Sequence, residues 1–350
     1  MEKKADVKKI VCLVVCVALI VIACIVGVDF NKITVKSGKG RNAKITSLED
    51  MSIMLSDFGE PLSDFSYSKN SAARNASKTD DAVSAKYKSV TIHEQSSCYT
   101  YAKNGRGFSK VIIQRSMDIG ITESATYYHS MFTLSADSRT EAYYSNDGMV
   151  QETDYGSNAD IDLEIYISED RFLLRFNRFS MATDGKNIMG IERVLGQWGD
   201  FSDDTDVGQA VISSLGSTNS KNFRIFGLMG KYIADSDDDI FSKRGDVYTL
   251  KKDASGGFAS SLLGIAGGSG LAEDFDCEFE VDLGSAASPV VTLLLDSDQS
   301  YDKTGSMRVY EKDVFEFTNI NNTVIDIPSS LSALSAEEFD AYMSELEEDD

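Results

Sequence analysis

The sequence predicts a mainly β (α+β) fold, an antiparallel sheet with a helical insertion, preceded by one N-terminal membrane segment. Two stretches of strict alternation predict the sheet: in residues 160–167 and 275–283 apolar side chains alternate with polar, mostly acidic ones. This period of two is typical of antiparallel strands that have one apolar face and one wet face. One uninterrupted apolar run near the N-terminus predicts the membrane segment.

The composition is that of a globular and strongly acidic protein. The chain has 350 residues, 42% of them hydrophobic, and a formal net charge of −22. That length and apolar fraction suffice for a large core. An acidic surface repels phosphate groups, so nucleic acid is not expected as a partner. No Gly-rich loop ends in Lys-Ser or Lys-Thr, and no cofactor is predicted.

The membrane segment covers residues 10–28. Every residue in it is apolar or Cys, apart from Gly27. Nineteen residues in a helix span about 28 Å, close to the hydrocarbon thickness of a bilayer. Residues 1–9 contain four lysines and are predicted to form a cytoplasmic tail, which leaves the bulk of the chain extracytoplasmic.

Cys24 leaves two kinds of anchor open. The sequence Val21-Ile22-Ala23-Cys24 is similar to a bacterial lipobox, in which the Cys becomes lipidated and the preceding peptide is removed. The apolar run continues through Ile25 and Val26, which favours an uncleaved transmembrane anchor. Both readings place the protein at a bacterial cell membrane, either single-pass or lipid-anchored.

Residues 29–85 are predicted to contain a basic spacer, a short helix and a flexible linker. Thr46 or Ser47 can cap the helix, and Glu49 and Asp50 suit its first turn. The linker begins near residue 63, where Ser, Ala, Asn and Asp predominate.

Residues 86–328 are predicted to form the extracytoplasmic β domain. Six or seven strands in meander order are expected up to residue 179, and a second strand group between about 246 and 327. The dipeptides Asn104-Gly105, Asp147-Gly148 and Asp184-Gly185 supply residues that tolerate the positive φ of tight hairpin turns.

A helical insertion is predicted between about residues 186 and 244. Its helices are expected at 188–198, 207–215 and 223–233, where apolar residues recur at helical spacing. Residues 254–270 are rich in Gly and Ser and are predicted to form a surface loop, with a lid as the alternative. Residues 329–350 are predicted to be an acidic tail whose helix opens at a Ser335-x-x-Glu338 capping box.

The end of the predicted sheet resembles one bacterial family. The sequence has Phe315-Glu316-Phe317, then a turn containing Asn319, then a β-branched strand closed by Pro328. This pattern resembles the last hairpin of LolA/LppX-like envelope lipoproteins, and the similarity covers residues 274–328. The resemblance implies a curved antiparallel sheet or half-barrel, with helices on its concave face and acyl chains bound between them.

The resemblance implies that the chain is a non-catalytic protein that binds an apolar ligand such as a lipid. The membrane segment indicates a stationary binder and not a diffusing carrier. The expected pocket residues are apolar residues on the inward faces of three strands: Phe172, Leu174, Phe176, Phe279, Val281, Phe315 and Phe317.

The alternative function is an acidic cell-surface interaction module that binds a protein or an envelope component. The same apolar residues would form the core of any sheet, so they do not separate the two functions. An internal cavity would favour the ligand binder, whereas a filled core would favour the interaction module.

No catalytic residues are predicted. Residues 66–69 read Ser-Tyr-Ser-Lys, and Ser-Asn and Lys-Thr-Gly follow later, in the order used by serine β-lactamases. That chemistry needs the Ser at the start of a buried helix. Here it lies in the Ser-rich linker, with no apolar helix after it, so the match is read as coincidence.

No metal site is predicted either. Asp235, Asp237 and Asp239 have the spacing of a weak calcium loop, but Ile240 stands where such a loop needs Gly. The two histidines, His93 and His129, do not form a metal-binding spacing with Cys98 or Cys277. A disulfide between these two cysteines remains open in an exported domain.

Overall fold

A computed structural model of the chain describes residues 32–59, 85–104, 107–143, 150–168, 170–184, 186–187, 192–202, 226–234, 240–265, 276–301 and 305–344. The predicted membrane segment with Cys24, nearly all of the predicted linker and the predicted helix at 207–215 lie outside these residues. Within the described part, no helix combines the length and apolar character needed to cross a bilayer.

The described chain is mostly β, as predicted. Its helices are α1 (Leu48–Gly59), α2 (helical over residues 226–234), α3 (Lys252–Ile265) and α4 (Ala336–Ser344). Its strands are β1 (Thr34–Ser37), β2 (Val90–Asn104), β3 (Gly107–Ile121), β4 (Ala125–Tyr143), β5 (Val150–Ser168), β6 (Phe172–Thr183), β7 (Lys186–Asn187), β8 (Trp198–Asp200), β9 (Phe241–Arg244), β10 (Val247–Leu250), β11 (Asp276–Asp282), β12 (Val290–Tyr301), β13 (Gly305–Thr318), β14 (Thr323–Asp326) and β15 (Ala333–Ser335).

Thirteen strands form one curved sheet that does not close into a barrel. Its order is β15-β8-β6-β5-β4-β3-β2-β13-β12-β11-β10-β9, and the short β7 pairs with β6. The two strand groups expected from the sequence are joined where β2 pairs with β13 along fourteen residue pairs, from Gly305↔Asn104 to Thr318↔Thr91. Where six or seven meander strands were expected, the described residues form five, β2 to β6. β4 and β5 run for 19 residues each, because pairing continues through polar stretches that the sequence suggests are breaks.

The two faces of the sheet have different coverings, and we call them the helix face and the open face. The helix face carries the main core, in which Ile161, Leu163 and Ile165 of β5 pack with residues of all four helices, among them Met54 and Phe226. Burial of this apolar surface is the main driving force for the fold.

Among the described residues, β1 and β14 cover one end of the open face, and they pair as a separate two-stranded sheet. A second apolar cluster lies beneath them and includes Ile33, Tyr127 and Trp198. The hairpin expected after Phe317 is therefore wrong. Asn319 and Asn321 adopt φ angles of 51° and 59°, and this turn directs the chain out of the large sheet, so that β14 pairs with β1 and not with β13.

The predicted helix caps are confirmed at α1 and α4. At α1 the Ser47 Oγ accepts a hydrogen bond from the Asp50 backbone N–H at 3.1 Å. At α4 the Ser335 Oγ accepts from the Glu338 backbone N–H at 3.2 Å, and the Glu338 carboxylate accepts from the Ser335 N–H at 2.9 Å. This reciprocal arrangement is a capping box.

Two element predictions are wrong. Residues 192–196 form turns, and Trp198 opens strand β8 instead of ending a helix. Its pairing with β6 and its burial in the second cluster outweigh the helical spacing. The predicted loop at 254–270 is helix α3 up to Ile265, because Phe258 and Ala259 are buried in the main core. The predicted helix at 223–233 is confirmed over the described residues of α2.

Replacing Gly120 by alanine is expected to lower the free energy of unfolding by about 1–3 kcal/mol. A Cβ at this position of β3 would lie 2.7 Å from Val35 Cγ2, so β1 would have to move off the sheet. Guanidinium unfolding of the full chain, followed by the fluorescence of its one tryptophan, Trp198, measures the loss. The control is Gly156→Ala, whose added Cβ meets only the Asp137 carboxylate at 4.0 Å. Equal losses in the two variants would contradict the close approach of β1.

Candidate functional site

The seven predicted pocket residues all lie on the helix face and are buried in the main core, with exposures of 0–3%. Rings of the helices cover those of β11 and β13: the Phe226 centroid lies 5.0 Å from Phe315 and 5.5 Å from Phe317, and Phe258 lies 4.9 Å from Phe279. The three residues of β6 lie five strands from β13, about 24 Å away across the sheet. The seven therefore form parts of the buried core, and the three residues of β6 lie apart from those of β11 and β13.

The other predicted site residues do not come together. Asp235, Asp237 and Asp239 lie outside the described residues. Cys98 and Cys277 are both free, and the disulfide left open above is not formed. They occupy one cross-strand row of the helix face, but β13 and β12 separate their strands. Three strand spacings, about 14 Å, exceed the reach of a disulfide.

The open face carries a row of charged side chains that crosses six adjacent strands. Strand register places each residue of this charged row directly opposite the next. In sheet order it consists of Glu316, His93, Asp118, His129, Glu164 and Arg175.

The two histidines of the charged row are in different electrostatic states. His93 Nδ1 lies 2.5 Å from Asp118 Oδ1, and this hydrogen bond raises the pKa of His93. His129 lies on the other side of Asp118, where burial lowers its pKa. Within the described part of the chain, no three His, Cys, Asp or Glu side chains are grouped as a metal site.

The other end of the charged row is a buried polar network. Glu164 accepts hydrogen bonds from the Tyr127 hydroxyl at 2.7 Å and from the Asn177 side-chain amide at 2.8 Å. The guanidinium of Arg175 lies 5.7 Å from the centre of the Trp198 ring. These contacts fix the end of the row against the apolar cluster beneath β1 and β14.

Asp162 stands next to this network on β5 and is fully buried. Burial is the main cause that raises its pKa to about 7. Between about pH 4 and pH 7 the unfolded chain loses this proton while the folded chain retains it. The contribution of Asp162 to stability therefore falls as the pH rises through that range.

Replacing Asp162 by asparagine is expected to raise the free energy of unfolding by about 2 kcal/mol at pH 8 and to leave it unchanged at pH 4. The amide cannot ionise, so the penalty above pH 7 disappears. Guanidinium unfolding at the two pH values measures the change. The control is Asp160→Asn, because Asp160 is half-exposed and paired with Arg178 at 2.9 Å. A gain at pH 4 equal to that at pH 8 would contradict the assignment.

A groove of about 450 Å³ lies on the open face beside the charged row. Two cross-strand rows of side chains line it, and the backbone of Ser96, Arg115 and Phe132 forms its floor. The lining side chains come from five adjacent strands: Lys312, Val314, Gln95, Ser97, Gln114, Ser116, Met131, Thr133 and Asp160.

A buried ion cluster supports the floor of the groove from the helix face. The Arg115 guanidinium pairs with the Glu94 carboxylate, whose side chain is completely buried. Asp313, which is 5% exposed, lies in the same cross-strand row as Arg115, with Ser96 of β2 between them. Burial raises the pKa of both Glu94 and Asp313, against the opposing effect of Arg115.

Sequence reasoning missed both the charged row and the groove. The row combines residues from 93 to 316, and the groove combines residues from 95 to 314. Only strand register brings them together. The sequence signal for these features is the polar side of the alternating strands. The alternation predicts that Asp160, Asp162 and Glu164 face solvent, but Asp162 and Glu164 are buried.

Comparisons with known proteins do not assign the chain to a family. No family model matches it, and no curated protein matches it. Among solved structures, the translocator domain of the autotransporter NalP from Neisseria meningitidis is similar over 65% of this chain and 88% of that chain, at 8% identity and a TM-score of 0.12. A score this low carries no argument about fold or function.

Proposed function

We propose that the chain is a membrane-tethered, extracytoplasmic and non-catalytic protein of a bacterial envelope that binds a protein or an envelope component on its open face. The observation that supports this most is the groove of about 450 Å³ at the centre of that face. Gln95, Gln114, Met131 and Lys312, which line it, are exposed. Ligand sites are typically concave.

The state of the helix face also favours the open face as the binding surface. Its apolar residues on β6, β11 and β13 are covered by the chain's own helices. A ligand bound there would have to displace the rings of Phe226 and Phe258. A ligand in the groove would displace only water, and it would meet a surface that the ion cluster holds in place from below.

A co-sedimentation assay tests the proposal. The full chain in detergent is mixed with the insoluble envelope fraction of the cell that produces it, and the bound share is measured. Gln114→Arg places a long charged side chain in the centre of the groove and should reduce binding about tenfold. Glu337→Gln is the matched control: it also makes the net charge more positive by one, and it lies at an exposed site of α4, away from the open face. Equal binding by both variants would contradict the open face as the binding surface.

A second candidate is an apolar ligand, such as a lipid, held between the helices and the sheet. The aromatic contacts of α2 and α3 with β11 and β13 favour it, because helices so placed resemble the covering of a half-barrel. A photoreactive fatty acid added to the full chain, followed by mapping of the labelled peptides, distinguishes the cases. Label on β11 or β13 would support this candidate, whereas label confined to residues 1–31 would reject it.

A further inference from the structure

We infer that the groove on the open face binds a neutral glycan, whose sugar rings lie across strands β13, β2, β3, β4 and β5. The inference rests on the proposed function, since it names the chemical class of the envelope component. It is carried by the charge, the hydrogen-bonding groups and the dimensions of the groove.

The charge of the groove complements an uncharged ligand. The two rows of side chains that line the groove contain one cationic side chain, Lys312, and one anionic side chain, Asp160. The charge of Asp160 is already compensated by Arg178 at 2.9 Å. The chain as a whole carries −22 and repels anionic polymers. A cationic ligand would find no excess of negative charge in the groove itself.

The hydrogen-bonding groups of the groove match sugar hydroxyls. Gln95, Gln114, Ser97, Ser116 and Thr133 each offer both donors and acceptors. A sugar hydroxyl likewise donates and accepts at one site. An apolar ligand would leave these five side chains without hydrogen bonds, at a cost for each buried group.

The dimensions of the groove fit a short linear chain of sugars. Lys312, Ser97, Gln114, Thr133 and Asp160 lie opposite one another in a single row. Adjacent strands are about 4.8 Å apart, so this row is about 19 Å long, close to the length of about four linked pyranose rings.

An aromatic pair lies beside the groove on the same face. Tyr99 and Tyr310 are directly opposite each other on β2 and β13, and both are half-buried. They occupy the cross-strand row that follows Ser97 and Lys312. Tyrosine rings offer a flat apolar surface with a polar edge, which suits the C–H face of a sugar ring together with its hydroxyls.

The position of the groove disfavours a peptide as its occupant. Peptides that add to sheets pair with the free backbone of an edge strand. The groove lies over β2, β3 and β4, whose backbones are paired on both sides. A peptide there would have only side chains to bind, whereas a glycan needs no backbone pairing.

Isothermal titration of the full chain in detergent with neutral tetrasaccharides tests the inference. The probes are the β-1,4-linked tetramers of glucose and of N-acetylglucosamine, the α-1,4-linked tetramer of glucose, and a β-1,4-linked uronic acid tetramer as the anionic control. We expect at least one neutral tetramer to bind, and the uronic acid tetramer not to bind. Gln114→Arg and Tyr99→Ala should each weaken that binding about tenfold, whereas Glu337→Gln, on the exposed surface of α4, should leave it unchanged.

Treatment of the envelope fraction separates failure of this inference from failure of the proposed function. Periodate cleaves the vicinal diols of 1,4-linked glucose, chitinase cleaves 1,4-linked N-acetylglucosamine, which lacks such diols, and protease removes proteins. Co-sedimentation that is lost after periodate or chitinase and retained after protease supports the glycan. Co-sedimentation lost only after protease, or no binding of any neutral tetramer, overturns the glycan and leaves the interaction module. Absence of co-sedimentation with the untreated fraction overturns both.

Discussion

Replacing Arg115 by leucine is expected to lower the free energy of unfolding by about 3–5 kcal/mol at pH 7, because it leaves buried carboxylates without their cation. Glu94 is completely buried beside Arg115, and Asp313 is nearly so. Both carboxyl groups already have raised pKa values with Arg115 present, chiefly because they are buried. Without Arg115 these pKa values should rise further.

The loss in Arg115→Leu should shrink as the pH falls. A carboxyl group whose pKa is raised in the folded state favours folding most when both states are protonated, and this advantage is lost as the pH rises through the folded pKa. Guanidinium unfolding at pH 4.5 should therefore show a smaller loss than at pH 7. Arg308→Leu is the control, because Arg308 is half-exposed and its pairing with Asp296 at 3.5 Å is a surface contact worth less than about 1 kcal/mol. The same loss at both pH values would contradict the account of the ion cluster.

Replacing Phe226 by alanine is expected to lower the free energy of unfolding by about 3–5 kcal/mol. Phe226 is completely buried, and its ring lies edge-on to Phe315 and Phe317 at 5.0 and 5.5 Å. Removing the ring leaves a cavity between α2 and the sheet. Guanidinium unfolding measures the loss, and hydrogen exchange should show faster exchange in α2.

Phe108→Ala is the matched control for the Phe226 variant. Phe108 is 37% exposed on the open face of β3, and its contact with Tyr101 is between stacked rings with centroids 6.4 Å apart. We expect a loss below about 1 kcal/mol there, as is usual for surface positions. Equal losses at the two positions would mean that α2 does not pack on β13 as described.

The sheet could be predicted because its signal is local. In residues 160–167 of β5 and in β11 every second residue is apolar, and those residues are the ones that the helix face buries. The caps of α1 and α4 could be predicted for the same reason, since Ser47 and Ser335 act within three residues of themselves.

The two secondary-structure predictions that are wrong fall where contacts between residues distant in sequence outweigh the local sequence pattern. The spacing that predicted a helix up to Trp198 is overridden because Trp198 pairs with Arg175 of β6 and fills the cluster beneath β1. Gly256 and Gly257 suggested a loop, but Phe258 stacks on Phe279 and makes that stretch helical. Neither partner can be inferred from the local sequence.

The site could not be predicted because a binding face depends on strand register. Gln114 and Thr133 are unremarkable polar residues until β3 and β4 place them opposite each other. The same holds for His93 and His129, which share Asp118 as their cross-strand neighbour. The expected apolar residues lie on one face of the sheet, and helices cover that face over the described residues.

Oxidative footprinting of the full chain, free and bound to the envelope fraction, tests the central claim most directly. Met131 in the groove and Tyr342 in α4 are both 37% exposed, so each reports on the covering of its own surface. If the open face is the binding surface, hydroxyl radicals should oxidise Met131 several-fold more slowly in the bound chain and Tyr342 at an unchanged rate. Unchanged oxidation of Met131 together with protection of Tyr342 would contradict the account.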